Sequence, residues 1–115
     1  MQSAAEIMNL GNVGAQIGGI ADDLMKAYDR YSDAKQAEEQ AKTGYEEEFD
    51  AALSQLNKKD YAEDQRKSIA RNKASMAYAK WTTAKSELYA AENHLNKCKV
   101  AKWSMTMQIQ LFTAD

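Results

Sequence analysis

Apolar residues recur along the first half of the chain at Leu10, Val13, Ile17, Ile20, Leu24, Ala27, Tyr31 and Ala34, then at Ala41 and Tyr45. The intervals alternate between three and four residues, the repeat of a helix packed along its length. Glu38 interrupts this track. Near Phe49, Leu53 and Leu56 the track shifts by about one position, which adjusts a supercoil locally without ending the helix. A second track runs through Ala70, Ala74, Ala77, Trp81, Ala84, Leu88, Ala91, Leu95, Cys98, Lys102, Met105, Ile109 and Phe112. Only Lys102 offends, and a lysine stem can lie along apolar surface with its amine in water.

Between the tracks, Asn57-Lys-Lys-Asp60 breaks the pattern. Asp60 is the expected cap of the second helix, with Glu63 completing an acidic variant of the capping box. The pattern thus predicts one all-α domain over residues 1–115: helix 1 over about 5–56, a turn over 57–60, and helix 2 over about 61–112. Gly44 is isolated in helical surroundings and marks a weak spot or kink.

Folding the tracks about the turn predicts a long, antiparallel, coiled-coil-like two-helix hairpin. Leu10 then faces Ile109, Leu24 faces Leu95, Tyr31 faces Leu88 and Tyr45 faces Ala74. Three alanine layers alternate with these: Ala27 with Ala91, Ala34 with Ala84, and Ala41 with Ala77. Such layers let helix backbones approach closely. Trp81 falls opposite Glu38, between Ala34 and Ala41.

Two helices offer each other one narrow stripe, and the chain holds more apolar surface than that stripe uses. Val100, Trp103, Met107 and Leu111 occupy a different face from Met105, Ile109 and Phe112. Ile7, Met8, Met25 and Tyr28 lie beside the first seam. In a hairpin these two sets meet at the base, away from the turn. Roughly five or six extra large apolar groups are then left over, worth about 1.5–3 kcal/mol each on burial. A patch of this kind marks an interface, either with further copies or with one partner. The competing arrangement folds one end back as a third helix.

Gly11, Gly14, Gly18 and Gly19 crowd the N-terminal stretch, and the first three share one helix face. One reading is a smooth strip for close helix packing, with Gly14 and Gly18 in a small-xxx-small pattern. The other is a helix weakened by about 1 kcal/mol per glycine, which breaks near Gly18-Gly19 and leaves a short N-terminal helix.

Composition agrees with helices. There is no proline among the 115 residues, and alanine, glutamate, lysine, glutamine and methionine are abundant. Residues 1–57 carry eleven acids and four bases, a balance of −7, whereas residues 58–115 carry six and eleven, giving +5. Halves of opposite sign suit each other in a hairpin, although exposed pairs contribute only a few tenths of a kcal/mol each. The total of −2 provides no basic field for nucleic acid. Lys97, Lys99 and Lys102 beside Trp103 are too few to supply one. The same amphipathic end has the form of a membrane-surface helix, a weaker alternative. The start of the chain lacks the basic residues and apolar run of a signal peptide, and no apolar stretch approaches the roughly 20 residues of a transmembrane helix. The expectation is cytoplasmic synthesis, compatible with signal-independent export or incorporation into a particle.

Catalytic constellations are missing. His94 is the only histidine and Cys98 the only cysteine. Four residues apart, they lack the further ligands of a closed metal site. No nucleophile, base and orienting group occur together, and the glycines lack the lysine of a phosphate loop. Glu46-Glu47-Glu48 with Asp50, and Asp22-Asp23, read as solvated helix faces. No enzyme, cofactor or small-molecule substrate is expected.

What remains is a structural or assembly subunit joined at its base. In outline this resembles the subunits of bacterial secretion needles and filaments, and small helical proteins of phage particles. The likeness rests on the Gly-rich apolar N-terminal stretch and the apolar end from Lys102 to Phe112, so no functional residue is carried over. The alternative is a small helical adaptor, chaperone or inhibitor that binds one protein through the same patch.

Overall fold

The computed structural model describes the backbone of residues 4–113 and the side chains of residues 14–111. The chain is all-helical over these residues: α1 (Ala4–Gln55), α2 (Glu63–Lys73) and α3 (Ser75–Thr113). Helix α1 runs unbroken through Gly14, Gly18, Gly19 and Gly44, so the separate short N-terminal helix does not form. Glycine costs a helix about 1 kcal/mol but retains its hydrogen bonds, unlike proline.

The turn differs in detail from expectation. After α1, Leu56 N–H bonds to Leu53 O at 3.2 Å. Asn57 then organises its own turn: its Oδ1 accepts Lys59 N–H at 3.0 Å and its carbonyl accepts Asp60 N–H at 3.1 Å. Such Asn-centred turns compete with helix initiation. Asp60 is consumed in this turn, and the N-cap of α2 is Ala62, with φ −65° and ψ 155°. Gln65, rather than Glu63, reaches back, its Oε1 accepting Ala62 N–H at 3.4 Å. Glu63 and Asp64 occupy the first turn, where the helix dipole favours acids.

The second helix, expected to be single, is divided at Ala74. There φ is −92° and ψ is 12°, away from helical values. Ala74 N–H still reaches Ala70 O at 3.0 Å, and Tyr78 N–H reaches Ala74 O at 2.9 Å. Hydrogen bonds therefore bridge the junction, and the division is a local deformation of the ladder. Ala70 and Ala74 are both fully buried.

The chain forms two compact units, residues 32–90 and residues 1–31 with 91–115. In the 32–90 unit the buried residues are Ala34, Ala52, Ala70, Ala74 and Ala77. Larger groups surround them half-buried. Trp81 Nε1 donates to Glu38 Oε1 at 3.0 Å, so the residue that interrupts the apolar track supplies a hydrogen-bond acceptor for the indole. The Tyr45 ring stacks on Trp81 at 5.5 Å, meets Tyr78 edge-on at 5.4 Å and lies 6.1 Å from Phe49. Lys85 Nζ lies 3.9 Å from the Trp81 ring centroid, a cation–π contact. Near the turn, Arg66 Nη2 donates to Leu53 O at 3.0 Å.

In the unit of residues 1–31 with 91–115, Ala27, Ala91 and Leu95 are the buried residues among those described. Seven of the eight buried residues in the described chain are alanines, and none of its large side chains is fully buried.

Two stability measurements follow from these contacts. A Cβ placed on Gly44 meets nothing within 4 Å, so Gly44→Ala should stabilise the fold by up to about 1 kcal/mol in denaturant unfolding followed by circular dichroism. Trp81→Phe removes the hydrogen bond to Glu38 and part of the ring stack, and should destabilise it by about 1–2 kcal/mol.

Candidate functional site

The unit of residues 1–31 with 91–115 carries most of the side chains singled out for interaction. On α3, Val100, Trp103, Met107 and Leu111 follow one another at intervals of three, four and four, which aligns them on one face. They are 61%, 63%, 38% and 72% exposed. Leu95, Met105 and Ile109 lie on the opposite face of the same helix, where Leu95 is buried and the other two are half-buried. Helix α3 is therefore apolar on two opposite sides in this unit. Only one side is covered by the described part of the chain.

On α1, Met25 is 67% and Tyr28 47% exposed. Tyr28 is partly engaged, because Lys99 Nζ lies 5.4 Å from its ring centroid. The structure thus brings this pair from α1 and α3 together, a contact that helical spacing alone does not reveal. Ile7, Met8 and Gly11, also singled out from the sequence, lie outside the described side chains.

Between the two helices of this unit runs an open groove of about 240 Å³. Ile17, Ile20, Ala21, Leu24 and Met25 line it from α1, and Lys102, Met105, Thr106 and Ile109 from α3. Ile17 belongs to the apolar seam by spacing, yet it is 40% exposed. Leu95, of the same size and in the same unit, is buried, so the helices close over one such side chain but not over Ile17. Gly14, Gly18 and Gly19 are exposed, and a Cβ built on any of them meets nothing within 4 Å. Close packing against Gly14 or Gly18 is therefore not made by the chain's own described residues.

Polar chemistry at this end is sparse. His94 Nε2 and Cys98 Sγ lie 3.8 Å apart, one helical turn from each other. No group of three or more His, Cys, Asp or Glu able to hold a metal occurs among the described residues. No described helix is long and apolar enough to cross a membrane. Asp22, Asp23, Glu46, Glu47, Glu48 and Asp50 are all exposed. Outside this unit, Met76 and Tyr89 are also largely exposed, although neither stood out from the two tracks. The signal that finds Tyr89 is its spacing of eleven residues from Val100, three helical turns, which returns to the same face.

No protein-family model, curated protein or solved structure matches the chain. The surface itself carries the functional reading.

The open space around Gly18 gives a direct check. Gly18→Ala should raise helix stability by up to about 1 kcal/mol when unfolding is measured at concentrations where the chain is dilute. A loss of stability under those conditions would mean that the chain's own residues press on this position.

Proposed function

We propose that the chain is a non-catalytic, helical assembly subunit that self-associates through the apolar surface of the unit bearing its two termini. The observation that carries this reading is the exposure of Met25, Val100, Trp103 and Leu111, each more than 60%, within one compact unit. Isolated exposed apolar residues are ordinary on protein surfaces, whereas several large ones on one helix face mark an interaction site. In this proposal the chain is a coiled-coil-like antiparallel hairpin. Support comes from the chain reversal after Leu56, the Glu38–Trp81 hydrogen bond and the groove shared by α1 and α3.

A subunit with two separate adhesive surfaces, a groove and an outer stripe, can join further copies through each of them, and repetition of such contacts builds larger assemblies. This is the mode of construction of bacterial secretion filaments and phage particles. The second reading is an adaptor, chaperone or inhibitor. The apolar groove favours it, because one helix of a different protein can seat large side chains there.

Light scattering over a concentration series tests the proposal. The average mass should rise with concentration for the wild-type chain. Trp103→Ala and Leu111→Ser should each shift it toward the monomer while circular dichroism stays helical. A wild-type chain that is monomeric throughout contradicts self-association, and variants that associate normally contradict its placement on α3.

A further inference from the structure

The outer face of α3 continues toward the N-terminus of the helix beyond its apolar residues. Asn93 and Asn96 precede Val100, Trp103, Met107 and Leu111 at intervals of three, four, three, four and four, so all six share one face. Both asparagines are exposed. Asn93, Asn96, Lys97 and Val100 line one shallow concavity on this surface. Their spacing is i, i+3, i+4 and i+7, the four-residue hole that accepts a side-chain knob from a facing helix. Because the side of α3 bearing Leu95 is the buried one, a second helix can lie on this face without displacing the described part of α1 in the same unit.

Charge indicates which helix that is. Glu92 and Lys97 flank the stripe on opposite sides, five residues apart, and both are exposed. In a parallel pair of identical helices, the flank holding Glu92 faces the flank holding Lys97 of the other copy, and the contact is made twice. The order of layers points the same way. Parallel and in register, Val100, Trp103, Met107 and Leu111 each meet their own counterparts. Each asparagine meets an asparagine, whose amide N–H can donate to the facing amide oxygen. The antiparallel arrangement that sets Asn93 against Asn96 matches Tyr89 with Val100 but sets Trp103 against Ser86 and Met107 against Thr82, which strands two large apolar groups on polar ones.

Resting on the self-association proposed above, we infer that α3 pairs with α3 of a second copy, parallel and in register, with Asn93 and Asn96 as the polar layers that fix the register. A polar residue at a core position costs stability but excludes shifted alignments, which leave its amide unpaired. In this arrangement Asn96 of one copy enters the hole formed by Asn93, Asn96, Lys97 and Val100 of the other.

Two measurements on the full chain test the pairing. Asn96→Cys combined with Cys98→Ser should form a disulfide-linked dimer on mild oxidation, whereas the wild type, whose only cysteine lies toward the covered face, should not. Glu92→Lys and Lys97→Glu should each weaken association by roughly threefold to tenfold, and the double exchange E92K/K97E should restore it. If the cysteine variant associates but stays unlinked, or if the double exchange is no tighter than the single ones, the parallel pairing is wrong and self-association stands. If the wild type is monomeric at every concentration, both fall.

Discussion

Alanine lets two helices approach closely, but it brings very little apolar area with it. That constraint governs this chain. Among the described residues the buried ones are Ala27, Ala34, Ala52, Ala70, Ala74, Ala77 and Ala91, with Leu95 as the one larger member. A core of this kind settles spacing and alignment but leaves the described bulky side chains other than Leu95 at or near the surface. Large groups must then be covered by one another, by long charged side chains, or by another molecule.

The two compact units meet this constraint differently. In residues 32–90, Tyr45, Phe49, Tyr78 and Trp81 gather into one cluster, the Trp81 indole donates to Glu38, and Lys85 lies over the ring. Tyr45, Phe49 and Trp81 are half-buried in that cluster, whereas Tyr61, Tyr78 and Tyr89 stay exposed. In residues 1–31 with 91–115 the described large apolar groups are aliphatic or sulfur-bearing, apart from Tyr28, Tyr31 and Trp103, and most of them are divided between a groove and an outward stripe. Only Tyr28 gains a described cationic cover, from Lys99. The difference lies in the side chains: aromatic rings can stack on their neighbours along a two-helix surface, whereas Val100, Met107 and Leu111 lie on the side of α3 opposite the buried Leu95.

Helical content and exposure were the legible features. The spacing of three and four residues identifies helix over nearly the whole chain, and the absence of proline leaves nothing to interrupt it. The same spacing separates Val100, Trp103, Met107 and Leu111 from the inward residues, and all four are exposed. The helix start at Ala62 was not legible, because it depends on Asn57 closing a turn that consumes Asp60. Neither was the deformation at Ala74, an alanine with no distinguishing sequence signal. Glu38 interrupts the apolar track, yet folding the tracks about the turn already sets it opposite Trp81. What spacing does not show is that the indole donates to its carboxylate, a contact across 43 residues of sequence. The groove was illegible for a related reason: spacing assigns Ile17 to a seam but does not say whether two helices can close over it.

The central claim is that the exposed stripe of α3 is covered by another copy of the chain. The most direct measurement is isotope-filtered NMR on a mixture of labelled and unlabelled protein, which detects only contacts between different molecules. Intermolecular contacts are expected at the Trp103 indole and the Val100 and Leu111 methyl groups, and not at the buried methyl groups of Ala27 and Ala91. If no intermolecular contacts appear at Trp103, Val100 or Leu111 at concentrations where the chain is associated, the claim is contradicted.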